Sequence, residues 1–194
     1  MGGEAKARYL RHAGRARAEM NSEFRIQNSE SSKLAFVALG SNLGDSRQII
    51  LQAFERLQGF SSSTLLKSSF WQTTPLDCPP GSPLFVNAVV GLVPLPTESP
   101  ESLLKKLREL EKEFGRQPKK ISNEPRPLYL DLIAFGNESW NTPELILPHP
   151  RAHERKFVLQ PLSEIAPELI LPGQGRTVAE LLTALATDET LTRL

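Results

Sequence analysis

At 194 residues the chain sits near the upper size of one ordinary domain, which argues against repeat arrays and multidomain architectures. An apolar share of 39% with 23% charged residues is globular in character, and no apolar run approaches the roughly 18 residues needed to cross a bilayer, so a soluble protein is expected. Lys plus Arg at 23 against Asp plus Glu at 22 leaves a net charge of +1, so no whole-molecule field nominates nucleic acid or acidic membranes as partners. A lone cysteine, Cys78, excludes an internal disulfide and a multi-cysteine zinc cage, and fits a reducing, cytoplasmic compartment.

Residues 1–33 hold seven basic and four acidic side chains, net +3, which leaves −2 for the rest of the chain. The segment has few apolar residues and no helical period, so it cannot bury enough surface to offset its ordering entropy and reads as a largely disordered tail. An organellar transit peptide or a basic nucleic-acid arm are the sharper alternatives; the continuous apolar stretch of a secretory signal is not there. Residues 34–194 are then expected to form the domain.

In chain order, KLAFVALG (33–40) is a short apolar run that suits a buried strand. Asp45 can cap a helix in which Ile49, Ile50, Ala53, Phe54 and Leu57 recur at helical spacing up to Gly59. Strands are expected around Leu65 to Trp71 and over Leu84 to Val93. Ser99-Pro100 starts a second helix, with Leu103, Leu104, Leu107, Leu110 and Phe114 as its stripe and Gly115 as its stop. A fourth strand spans Leu128 to Phe135, and Thr177 with Glu180 forms a capping box before a last short helix. The β-α-β-β-α-β order with additional C-terminal helices predicts an α+β fold of ferredoxin-like type, a four-stranded antiparallel sheet with helices packed on it.

Three clusters carry polar groups that a plain core does not require. Gly40-Ser41-Asn42-Leu43-Gly44 joins strand to helix without the spacing of a Walker or dinucleotide loop; it is a tight turn whose glycines would also let a ligand approach the backbone. Arg116, Lys119, Lys120, Glu124 and Arg126, with His149, Arg151, His153 and Arg155 farther on, are either solvated loops or a polyphosphate site, since arginine forks bind oxygens bidentately. In Leu128-Tyr129-Leu130-Asp131-Leu132, Tyr129 and Asp131 share one face of a strand while the leucines and Ile133 pack. A carboxylate there needs a partner: a salt bridge, or Mg2+ beside phosphates.

Read together, FVALGSNLGD, SSFWQTTPL, FVNAVV, LEKEFGR, PRPLYLDLIAFGN and LPHPRAHERKFVLQPLSEIAPEL resemble the 6-hydroxymethyl-7,8-dihydropterin pyrophosphokinases of folate biosynthesis, over roughly Leu34 to Leu185. The resemblance implies transfer of the β,γ-diphosphate of ATP to the pterin hydroxymethyl oxygen, leaving AMP, with two Mg2+ ions. It implies that Gly40, Thr73, Leu76, Asn87 and Phe157 meet the pterin, and that Glu111, Arg116, Arg126, Leu132, His149 and Arg155 meet ATP. Arg116 and Arg126 would stabilise charge on the transferred group, and Asp131 would hold metal. The implied partners are small molecules only, ATP and the pterin, and a monomer is expected.

Several departures fall between Pro118 and Tyr129. The family pattern has two aspartates one residue apart on the fourth strand; here the first is Tyr129, and a neutral phenol is a weak ligand for a hard cation. Glu124 stands where glycine is usual and could replace the lost carboxylate, and Asn123 replaces an aromatic. A second function is therefore carried forward: a catalytically weakened relative that binds nucleotide or pterin as a regulatory module. A nucleic-acid module is the third, disfavoured because no strand interleaves basic and aromatic residues.

Overall fold

The structure is a computed structural model, and it describes residues 34–75, 78–117 and 125–194. The tail reading at 1–33, Leu76 and Glu124 lie outside the described residues. The elements run β1 (Ala35–Ser41), α1 (Ser46–Gln58), β2 (Leu66–Lys67), β3 (Trp71–Thr73), β4 (Phe85–Leu92), α2 (Pro100–Glu113), β5 (Tyr129–Phe135), β6 (Trp140–Asn141), β7 (Ile146–Leu147), a 3-10 turn (Ala152–Glu154), α3 (Lys156–Ile165), α4 (Val178–Ala184) and β8 (Leu191–Arg193).

The sheet is antiparallel, in the order β5-β1-β4-β3-β8, with β2 also on β4. This is the expected ferredoxin-like sheet, extended at one edge by β8. Strand β1 is buried at every position because helices cover both faces of the sheet, which is why its apolar run is continuous rather than alternating. One face packs Val37, Leu39, Val90, Leu130 and Leu132 against Ile50 and Leu57 of α1 and Leu103 and Leu107 of α2. The other packs Phe36, Ala38, Val89 and Ile133 against Val158, Leu159 and Leu162 of α3. Ile133 thus packs, as expected, but on the same face as Tyr129 and Asp131.

The expected helix starts are present. The Asp45 carboxylate accepts from the Gln48 N–H at 3.1 Å, and Ser99 exchanges hydrogen bonds with Ser102 around Pro100. Thr177 and Glu180 form their capping box. The strand expected around Leu65 to Trp71 is instead two short pieces. At Ser68 the Val89 N–H is taken by the serine hydroxyl at 2.9 Å rather than by a main-chain carbonyl, so the ladder breaks before resuming at Trp71.

Helix α3, which no periodic signal located, contains Pro161 and has no side-chain cap from Arg155 before it. Its start is held from a distance: the buried Glu189 carboxylate accepts from the Lys156 and Phe157 N–H groups at 3.3 and 3.1 Å. The C-terminal segment therefore caps α3 and, as β8, pairs with β3. Among the described residues no helix is long and apolar enough to cross a membrane.

Candidate active site

The sheet face that carries α3 continues past that helix into a row of residues that register brings side by side. Tyr129 lies opposite Gly40, Gly40 opposite Asn87, and Asn87 opposite Trp71. Cross-strand neighbours are about 4.8 Å apart, so Tyr129 and Asn87 stand roughly 10 Å apart, one strand between them. Only the missing side chain at Gly40 lets them touch. The Tyr129 ring lies across that glycine, where an added Cβ would collide with Tyr129 Cε1 and its Oη. The phenol donates to Asn87 Oδ1 at 2.6 Å, and Asn87 Nδ2 donates to Thr73 Oγ1 at 2.7 Å. The Phe85 ring meets Tyr129 edge-on with centroids 6.1 Å apart, and the Arg126 guanidinium sits 5.8 Å from the Tyr129 ring centre. Burial, reinforced by the charge of Asp131, pushes the Tyr129 phenol well above its usual value, so it stays protonated.

A second group forms where α2 ends. Gly115 adopts φ +90, and the N–H groups of Gly115 and Arg116 turn back to the carbonyls of Lys112 and Glu111 at 2.9 and 3.0 Å. This Schellman closure folds Arg116 over the last helical turn, where its guanidinium pairs with the Glu111 carboxylate. Glu111 is 2% exposed and also accepts from the Leu130 N–H at 2.8 Å, which ties α2 to β5. Burial holds its carboxyl above the ordinary range, against the opposing pull of the Leu130 N–H and Arg116; nearby Asp131 adds to the rise.

Asp131 also faces His149, whose main-chain N–H bonds the Ile133 carbonyl at 2.8 Å. Burial lowers the His149 pKa, helped by Arg155 and Arg151 and opposed by Asp131. The imidazole is therefore neutral at pH 7. Its Nδ1 accepts from the Arg151 N–H at 3.2 Å, which leaves the proton on Nε2 as a donor. Arg155 lies with its guanidinium 5.4 Å from the Phe157 ring centre, and its buried Nε has no hydrogen-bond partner. A buried orphan donor beside a half-buried aromatic ring suits a planar or anionic ligand.

The structure thus gathers Gly40, Thr73, Asn87, Tyr129 and Asp131 on one face, with Arg126 and Arg155 within electrostatic reach of Tyr129, Glu111 and His149 within reach of Asp131, and Arg116 paired with Glu111. Leu132 stands apart: its side chain is in the core between the sheet and the α1/α2 layer, so only its main chain can meet a ligand. Three residues to which the sequence reading gave no individual role belong to the arrangement. Phe85 walls the Tyr129 ring. Asn42, 3% exposed, holds Arg126: Asn42 Oδ1 accepts from the Arg126 N–H at 2.9 Å and the Asn42 N–H donates to the Arg126 carbonyl at 3.3 Å. Glu189 fixes the first turn of α3, and with it Phe157. Phe85 adjoins Asn87 by two positions in the strand, a usable signal; the other two act across 84 and 32 residues, for which spacing gives no clue.

Among the described residues no group of three or more His, Cys, Asp or Glu side chains is placed to hold a metal ion. Asp131 can serve one Mg2+ together with phosphate oxygens, but a protonated Tyr129 engaged with Asn87 supplies no second anionic ligand, so the described residues do not fit a two-ion centre.

The family model for 7,8-dihydro-6-hydroxymethylpterin-pyrophosphokinase (HPPK) matches residues 36–167. This chain belongs to the HPPK family. A Pseudomonas aeruginosa 2-amino-4-hydroxy-6-hydroxymethyldihydropteridine pyrophosphokinase is 40% identical over 152 residues, covering 77% of this chain and 90% of that protein. The Haemophilus influenzae protein of the same name is 38% identical over 149 residues, covering 76% and 89%. The Pneumocystis carinii folic acid synthesis protein fol1 is 36% identical over 159 residues; that match covers 82% of this chain but spans only 21% of the fungal protein. A Plasmodium falciparum HPPK-DHPS structure superposes with a TM-score of 0.59 at 13% identity, over 77% of this chain and 42% of that one, and supports the fold. Family membership makes the chain a diphosphotransferase of folate biosynthesis by class, with ATP and a pterin as its small-molecule substrates.

Proposed function

We propose that this chain moves the β,γ-diphosphate of ATP to the hydroxymethyl oxygen of 6-hydroxymethyl-7,8-dihydropterin: that oxygen bonds to the β-phosphorus as its proton is lost, the bond from the β-phosphorus to the α,β-bridging oxygen breaks, and AMP leaves carrying the bridging oxygen. The observation that carries the reading is the juxtaposition of two chemistries around Tyr129 and Asp131: an amide and aromatic row suited to a heterocycle, and cations suited to a triphosphate. Asn87, with a donor and an acceptor on one amide, reads the pterin edge, and Phe157 covers the ring. Thr73 orients the Asn87 amide, and Gly40 completes the wall.

Arg116, Arg126, Arg155 and the Nε2–H of neutral His149 bind phosphate oxygens and neutralise charge on the group in flight. Glu111 keeps Arg116 aimed, and Asn42 does the same for the backbone of Arg126. Mg2+, when bound at Asp131, would draw the phosphate oxygens together and screen their charge. Phosphoryl transfer asks chiefly for alignment and charge neutralisation, and those are the tasks these residues can perform. We further propose a domain spanning residues 34–194 with 1–33 as a tail, acting as a cytoplasmic monomer.

Tyr129 favours a second reading, a catalytically weakened relative that binds nucleotide or pterin without efficient turnover. One assay separates the two. Purified protein with ATP, Mg2+ and hydroxymethyldihydropterin should form AMP in a pterin-dependent manner; nucleotide and pterin binding without AMP formation would leave the binding-module reading in its place.

A further inference from the structure

The Asn87 amide, which the proposed function assigns to the pterin edge, is already engaged by the chain's own side chain. We propose that Tyr129 is a built-in occupant of the pterin site, so that pterin binds only when this side chain swings off Gly40 and Asn87, and that Tyr129 thereby sets pterin affinity. The inference rests on the placement of the pterin at Asn87 and Phe157. Three observations support it. The ring covers the position where Gly40 has no side chain, space that a flat heterocycle would otherwise use. The phenol donates to Asn87 Oδ1 at 2.6 Å, so a ligand N–H aimed at that oxygen meets a competing donor, while the other end of the amide is committed to Thr73. The edge of Phe85 steadies the ring in place.

A strand side chain has alternative χ1 wells, so Tyr129 can leave by rotation without moving β5. The cost shows as a reduced population of the open site: if a tenth of molecules are open, apparent affinity falls about tenfold.

Calorimetric titration with 6-hydroxymethylpterin, without nucleotide or Mg2+, reads the effect apart from any metal chemistry. Tyr129→Ala should bind about tenfold more tightly than wild type. Tyr129→Phe, which keeps the ring but releases the amide, should fall between them. Equal or weaker binding by Tyr129→Ala would make the ring a stacking wall or a bystander and overturn the proposal. Should that variant not fold, Tyr129→Phe and a direct probe decide. The chain has two tyrosines, Tyr9 and Tyr129, so ring-labelled tyrosine gives one NMR signal for the site and one internal reference. Saturating pterin should shift the Tyr129 signal, and an unmoved signal refutes displacement. Phe157→Ala in the same titration separates the two layers of inference. If it weakens pterin binding while Tyr129→Ala does not tighten it, the occupant idea alone fails. If pterin binding ignores Phe157, the site placement fails and takes the proposal with it.

Discussion

Replacing Tyr129 with aspartate changes three quantities that the geometry lets one treat separately. The variant loses the hydrogen bond to Asn87, worth about 0.5–1.5 kcal/mol, and the edge contact with Phe85, worth a similar amount. A fall of about 3–9 °C in Tm is expected for a chain of this length. It also gains a carboxylate two residues from Asp131 on the same strand face, about 6.8 Å away by strand rise. At effective dielectric constants of about 20 to 80 the two carboxylates repel by roughly 0.6–2.4 kcal/mol, a penalty that a divalent cation reverses. Mg2+ with nucleotide should therefore raise the Tm of Tyr129→Asp more than that of wild type. If the new ligand recovers about 2.7 kcal/mol of transition-state stabilisation, kcat rises ~10²-fold. Removal of the Tyr129 ring should in addition lower KM for pterin. Initial rates of AMP formation across an Mg2+ titration, at saturating and limiting pterin, measure both. Wild-type turnover already near that of the variant, and abolished by Glu124→Gln, would refute the reasoning and make Glu124 the replacement ligand.

Phe157→Ala should weaken pterin binding by about tenfold or more with ATP affinity nearly unchanged, and Asn87→Ala should act in the same direction, its lost pairing partly offset by the release of Tyr129; calorimetry with each ligand checks both. Glu111→Ala leaves the buried Leu130 N–H without an acceptor and should cost about 1–3 kcal/mol in chemical denaturation. Because burial raises the Glu111 pKa, its contribution is fully present below the ordinary value of 4.5 and is lost as pH rises through the folded-state value, so the Tm advantage of wild type over Glu111→Gln should shrink from pH 4 to pH 7. A gap that widens with pH would mean that the Arg116 pair outweighs burial. Deleting residues 1–32 should leave Tm and ligand binding nearly unchanged, since the segment has no apolar face to dock; a large drop on truncation would show that it packs on the domain.

Local chemistry and periodicity determined a good deal of this protein. The caps at Asp45, Ser99 and Thr177, the stop at Gly115 and the buried run of β1 are interactions within a few residues, so composition and spacing suffice to read them. The quoted motifs carried the family, because their order and length leave chance a poor explanation. What tertiary structure decided are contacts that close over long separations. Pairing of β8 with β3 and the capping of α3 by Glu189 join segments whose own sequences carry no strand or cap signal, since a two- or three-residue edge strand has no period and a cap supplied from another element has no fixed offset. Ser68 broke an expected strand through a side-chain hydrogen bond to Val89, 21 residues away. The placement of Tyr129 belongs to the same class. Its identity in the sequence marks a lost carboxylate, but that its ring would cross Gly40 and engage Asn87 depends on the register of three strands, which only the folded sheet determines.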